Sequence, residues 1–387
     1  MAKKSLVAHL YECLKEDNTK KALYIIDLLG DDVNKIYKGK SLLSWAKEFH
    51  NDVIIANLEA KGGVDKIVAD EDAYMLTGKL IKEIANGNIE QVKDSIDAVV
   101  DIDAGDIGQW KPLLRAVYHG HIEIAKELIE AGANINEKYH DGKTALIIAA
   151  ENGDVDVVEM LMKAGVEVEH KDAYDGETAF IKAVRKGYLN VVKKMIELDI
   201  DVNQKDKEGR TALMYASENG YKDIADIIIK AGGNVNLKDN NDNTAIMYAS
   251  SFGRDEIFDM LVNAGADIKL KNKKGSSAFM AASYHAHIGI MEKLIALGAD
   301  VNDRNIYGVT ALMVATSNEH YNVMEKLIEF GANVNLKDNE GRTALKRAGD
   351  EETRKVILDA VKKRKEKAKE NEPSFMDRVK GLFGKGE

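Results

Sequence analysis

Two histidine pairs are the first residues with the right type and spacing for chemistry. His119 and His121 flank Gly120, and His285 and His287 flank Ala286. Two imidazoles so close could share a metal, but zinc needs further ligands at fixed spacing and none accompanies either pair. Cys13 is the single cysteine, so neither an internal disulfide nor a cysteine metal site can form. It has no patterned basic neighbour to activate a thiolate. Acidic pairs such as Glu351-Glu352 are ordinary in a chain with 65 Asp and Glu and read as solvated faces. The phosphate-cradling glycine loop, the nucleophile elbow and the His-Glu-x-x-His zinc helix are all missing from the sequence. The expectation is no catalytic residue, no metal, no cofactor and no enzyme.

The elements that would position side chains come from a repeat. Thr144-Ala145-Leu146 returns as Thr178-Ala179-Phe180, Thr211-Ala212-Leu213, Thr244-Ala245-Ile246, Ser277-Ala278-Phe279, Thr310-Ala311-Leu312 and Thr343-Ala344-Leu345, spaced by 34 residues once and then by 33. Pro112-Leu113 holds the same slot upstream. Glycines run in step, at 87, 120, 153, 187, 220 and 253, and again twelve residues on at 132, 165, 232, 265, 298 and 331. The Thr or Ser hydroxyl caps a first helix, and Pro112 suits the first helical position. The first glycine supplies a turn with positive φ. A second helix follows with an apolar stripe such as Val157, Val158, Leu161 and Met162. The second glycine stops it, and an Asn-x-Asn phrase leads to a polar tip. Two consecutive units carry Ala286 and Glu319 where the turn glycine belongs, which predicts a weakened or reshaped turn at 284–288 and 317–321.

Period, cap, both glycines and the Asn phrase together make this unit resemble the ankyrin repeat. The phrases that carry the resemblance are Asp-Gly-x-Thr-Ala-Leu (141–146), Gly-His-Ile-Glu-Ile (120–124) and Gly-Ala-Asn-Val-Asn (331–335). It implies an all-α solenoid of roughly ten or eleven helix-turn-helix units with hairpin tips, counting atypical ends. Residues 1–74 are expected to form degenerate N-terminal capping units and 75–360 the regular solenoid. The charged stretch 361–372 is a spacer or helix extension, and 373–387 a short amphipathic segment. The chain departs from the family in the histidine slot of the Thr phrase, which holds Ile147, Ile181, Met214, Met247, Met280 and Met313. These read as core packing rather than a metal path.

The resemblance also implies a non-enzymatic scaffold that binds a partner protein or peptide along an extended groove, with side chains from the tips and from the exposed end of each first helix. Those slots hold Trp110, Tyr118, His119, His140 and Tyr174, then Arg185, Phe252, Tyr284, His285 and Tyr307. Aromatics are 6% of the chain, so their gathering in exposed slots is informative, because interface hot spots favour them. Tyr174 sits in the single 34-residue unit, whose extra residue enlarges that tip.

Net charge is −10. Residues 362–387 hold nine Lys and Arg against five Asp and Glu, or +4, leaving −14 on the rest. An acidic body disfavours nucleic acid. No run approaches a membrane-spanning length, the N-terminal stretch lacks secretory features, and a cytoplasmic location is expected. After Pro373, Ser374 and Asp377 have the spacing of a capping box. Phe375, Met376, Val379, Leu382 and Phe383 fall within about 120° of a helical wheel. That segment could cap the last repeat, dock into a partner or lie on an anionic membrane, which would make the protein a tethered adaptor.

Overall fold

The computed structural model describes residues 110–369 without a break. Before them it describes residues 10, 13–14, 19, 22–23, 25–26, 36–37, 40–49, 52–60, 70–98 and 102–106. Among the described residues the regular elements are helices, apart from a two-residue antiparallel pair, β1 (Ile36–Tyr37) with β2 (Lys40–Ser41), and isolated bridges at three tips.

The chain divides into two compact units, residues 1–182 and 183–387. The first holds α1 (Leu42–Glu48), α2 (Asp52–Ala60), α3 (Asp70–Asn86), α4 (Ile89–Ala98), α5 (Pro112–Tyr118), α6 (Ile122–Glu130), α7 (Ala145–Asn152) and α8 (Val155–Lys163). The division falls inside α9 (Ala179–Lys186). The second unit continues with α10 (Leu189–Glu197), α11 (Ala212–Asn219), α12 (Lys222–Lys230), α13 (Ala245–Ser251), α14 (Asp255–Asn263), α15 (Ala278–Tyr284), α16 (Ile288–Ala296), α17 (Ala311–Ser317), α18 (Tyr321–Phe330), α19 (Ala344–Arg347) and α20 (Glu351–Lys369).

First and second helices bury themselves differently. In α11 every residue from Ala212 to Ser217 is buried, whereas α12 buries one stripe, Ile224, Ala225 and Ile228. First helices pack in a row, α11 on α13, α13 on α15 and α15 on α17, and second helices pack beside them. A single hairpin cannot enclose its apolar face, so the core exists only between neighbours. The Met and Ile slot lies in that core, with Met214, Met247, Met280 and Met313 all buried.

The capping expectation holds at most units. The hydroxyls of Thr144, Thr178, Ser277, Thr310 and Thr343 accept from the backbone N–H three residues on, at 3.3–3.5 Å. Thr211 and Thr244 differ: their side chains make no cap, and their carbonyls accept from Met214 and Met247 instead.

The Asn-x-Asn phrase stitches neighbours. Asn136 Oδ1 accepts from Glu167 N, Asn203 from Asn234 N, Asn236 from Asp267 N and Asn302 from Asn333 N, all at 2.7–2.8 Å. Tips are linked by backbone bonds, as in Asn240 N to Glu208 O at 2.8 Å and Ile306 N to Lys274 O at 3.1 Å.

The turns at Ala286 and Glu319 are not reshaped. Both residues keep the left-handed conformation of the glycines they replace, with φ of 61° and 55°. His287 N still donates to Ala282 O at 2.9 Å, and His320 N to Ala315 O at 3.0 Å. The neighbouring hairpins fix the turn, so the missing glycine appears as backbone strain rather than as a new shape. Asp199 and Asp242, at φ 62° and 64°, likewise stand in glycine slots, but a short polar side chain tolerates that region better.

Candidate interaction surface

In the first unit the aromatic residues meet at the tip before α5 and at its end. The Trp110 ring lies 5.0 Å from Tyr118 and 4.4 Å from Tyr139, tilted 30° to the latter. The guanidinium of Arg115 stands 4.8 Å over the indole. Tyr139 continues to His140 at 3.9 Å, and Tyr118 meets His119 edge-on at 5.3 Å. Trp110 N donates to Asp106 Oδ1 at 3.0 Å, which fixes the tip. Four of the residues read from the sequence, Trp110, Tyr118, His119 and His140, thus belong to one cluster. Trp110 is half-buried in it and Tyr118 is 52% exposed. Tyr139 joins them without having been singled out; its position beside His140 was the available signal. Burial, Arg115 and His121 together hold the His119 imidazole below its usual pKa.

Tyr174 projects from the 34-residue unit and is 68% exposed. Beneath it Asp172 closes the tip, its Oδ1 accepting from Asp175 N and Glu177 N at 3.0 and 3.2 Å. Asp172, Asp175 and Glu177 converge closely enough to hold a cation. The cation there is Lys182, buried on α9, whose Nζ lies 2.8 Å from Asp172 and 2.7 Å from Glu177. Burial works against that ammonium, but its two hydrogen bonds to carboxylates outweigh this and hold its pKa above the ordinary lysine value. Sequence reading missed this ion cluster, because nothing local links Lys182 to the tip.

In the second unit Tyr215 and Tyr248 stand at equivalent slots of α11 and α13. The Arg210 guanidinium lies between them, 4.0 Å from one ring and 4.5 Å from the other, and pairs with Glu218. One repeat on, Phe252, Tyr284 and His285 form an exposed group: His285 is stacked 6.4 Å from Phe252 and set edge-on to Tyr284 at 4.8 Å. Phe252 and Tyr284 are 43% and 50% exposed. His287 Nε2 bonds Ser251 O at 3.0 Å, so one histidine of that pair serves turn packing. Its imidazole lies where a Cβ on Gly253 would come within 2.5 Å, which explains the glycine. Between Tyr248 and Ala281 opens a cleft of about 190 Å³, rimmed by Phe252 and His285.

Tyr307 is exposed on its own tip, where its N donates to Asn305 Oδ1 at 2.9 Å. Arg185 is exposed at the end of α9. Phe375, Met376, Val379, Leu382 and Phe383 lie outside the described residues. No described helix is long and apolar enough to cross a membrane.

Comparison with known proteins agrees with this geometry. A family model described as ankyrin repeats (3 copies) matches residues 80–172, 164–239, 180–272, 218–305 and 278–367. No curated protein matches the chain. Among solved structures it is similar to the ankyrin repeat domain of Bcl-3, a member of the IkappaB protein family. That likeness has 25% identity, covers 53% of this chain and 93% of that one, and has a TM-score of 0.50. With overlapping matches running from residue 80 to residue 367, the chain belongs to the ankyrin-repeat family.

Proposed function

We propose that the chain is a non-enzymatic scaffold in the cytoplasm that binds a partner protein or peptide along the face formed by its tips and first-helix ends. The observation that carries this is the gathering of aromatics there: exposed Tyr118 against half-buried Trp110 in the first unit, exposed Phe252 and Tyr284 on either side of His285 in the second. The Tyr and Trp rings, each with a polar atom, suit a surface that is wet when free and buried when bound. Family membership supports the general reading, since ankyrin repeats are protein-interaction modules. The acidic body argues for a protein partner over nucleic acid. The test is capture of binding peptides from a random displayed library by the chain. Enrichment should be lost when Tyr118, Phe252 and Tyr284 are replaced by Ala, and a variant that keeps the same enriched peptides refutes the reading.

A second reading, that the protein is an adaptor tethered by residues 373–387, draws on α20. From 362 to 368 that helix is exposed and charged, as suits an arm in front of a docking segment. Deleting 373–387 then removes a protein or liposome contact without lowering stability; if the deletion lowers stability, the segment is a cap.

A further inference from the structure

Slots that are 33 residues apart in the second unit can be compared directly. In the first of two successive repeats the space beside a tyrosine is filled: Arg210 lies over Tyr215 and Tyr248 and is held by Glu218. One repeat later all three filling positions shrink. Asn243 stands for Arg210, Ser251 for Glu218, and Ala281 for Tyr248. The cleft of about 190 Å³ against Tyr248 is what remains, and these three residues line it.

Its size selects an occupant. Cavities of about 150 Å³ accept a benzene ring, while drug-sized ligands occupy pockets of about 300 Å³ and more. The space fits one side chain. Its chemistry narrows the choice. Asn, Ser, Met, Ala, Tyr, Phe and His line it, with no carboxylate or ammonium. A cation such as arginine would surrender hydration there without a counter-charge. Tyr248 and Phe252 offer ring faces and edges. Asn272, whose Nδ2 donates to Asn243 Oδ1 at 2.9 Å, and Ser276 offer polar atoms. The chain supplies its own template: the slot of Ala281 is tyrosine in both preceding repeats.

We propose that this cleft receives a tyrosine side chain from a partner protein, ring against Tyr248 and Phe252, in the place that the missing repeat tyrosine leaves open. This rests on the interaction reading of the same face and names the chemistry of its central contact.

The test uses the full chain with labelled methionine and alanine methyl groups, observed by NMR while N-acetyltyrosinamide, N-acetylleucinamide or N-acetylargininamide is added. The tyrosine probe should shift Met247 and Ala281 saturably and at lower concentration than the other two. Ala281→Tyr with Asn272→Asp rebuilds the earlier ring-and-carboxylate pair and should abolish the Met247 shift. Ser251→Leu narrows the cleft from its half-exposed rim and should do the same if the first variant fails to fold. No saturable shift, a shift that survives in a folded blocked variant, or tighter binding of the arginine or leucine probe overturns the proposal. If displayed peptides still bind both blocked variants but not the Tyr118, Phe252 and Tyr284 variant, the cleft inference fails and the broader reading stands. If the tyrosine probe binds while those three aromatics prove irrelevant to peptide capture, the broader reading fails alone.

Discussion

Tyr215 donates its phenolic hydrogen to Asp206 Oδ2 over 2.7 Å, and one repeat later Tyr248 makes the same bond to Asp239. The other carboxylate oxygen of each Asp accepts tip backbone N–H groups, Arg210 N at Asp206 and Asn241 N and Asn243 N at Asp239. Lys182 and Arg347 take the tyrosine's part at Asp172 and Asp338. Where the helix slot holds Ala281 or Val314, the tip residue is Asn272 or Asn305, which keeps the backbone bonds through an uncharged amide. In this slot of the second unit and at Asp172 the carboxylate stands opposite a helix side chain that donates to it and the amide opposite one that cannot, because a buried charge without a partner is expensive.

Tyr215→Phe therefore should destabilise the second unit by about 1.5–3 kcal/mol, the usual worth of a hydrogen bond to a charged group. Combining it with Asp206→Asn should recover part of the loss. A double-mutant cycle by urea unfolding reads the coupling, and strictly additive effects would refute the tip rule.

The repeat, its caps, its Asn phrase and its glycines were legible in sequence because each is a local instruction repeated every 33 residues. Tyr118, Phe252 and Tyr284 could be placed in exposed slots by the same period, whereas Trp110, expected in such a slot, is half-buried. What escaped were relations between slots in different repeats. The stacking of Arg210 between two tyrosines, the entry of Tyr139 into the Trp110 cluster and the cleft at Ala281 depend on side-chain sizes in neighbouring units. The sequence marks the turns at Ala286 and Glu319 as weakened or reshaped, yet the packed hairpins on either side keep their shape.

Lys182→Met should be severe. It strands Asp172 and Glu177, both buried, without their ammonium, and breaking such a cluster from one side costs about 3–5 kcal/mol. Adding Asp172→Asn and Glu177→Gln should restore most of that stability. Thermal unfolding of the single and triple variants decides; equal losses in both would mean that packing, not charge, is what Lys182 supplies.

Replacing Ala286 and Glu319 together by Gly should raise stability by about 1 kcal/mol. Relief of a left-handed side-chain conformation is offset in part by the extra freedom of glycine in the unfolded chain. Asp199→Gly should gain less. An unchanged melting temperature in the double variant would show that the two turns carry no strain.

Asp338 makes the C-terminal tip acid-sensitive. Burial favours its neutral form, but backbone N–H groups and the guanidinium groups of Arg347 and Arg342 outweigh this and hold the carboxyl well below the usual range. The folded value lies under the unfolded value of about 3.9. Its contribution is therefore complete above that value and is lost as pH falls through the folded one. Asp338→Asn should be less stable than the parent at neutral pH, with the gap closing under acid. Melting curves collected from about pH 7 down to about pH 3 test the sign; a gap that is constant across that range would exclude the ionised carboxylate as its cause.

The exposed aromatics separate binding from folding. Tyr118, Phe252 and Tyr284 show half or nearly half of their surface to solvent, so replacing them by Ala removes little packing. Trp110 differs: it is enclosed by Tyr139, Tyr118 and Arg115. With Trp110→Ala added, the four substitutions should weaken affinity for a captured partner by more than about 2 kcal/mol in sum. Most of any fall in melting temperature should trace to Trp110 alone. Calorimetric binding and thermal melts on the single and combined variants give both quantities. Retained affinity with a large stability loss from Tyr118, Phe252 or Tyr284 would identify those rings as packing and remove them from the binding face.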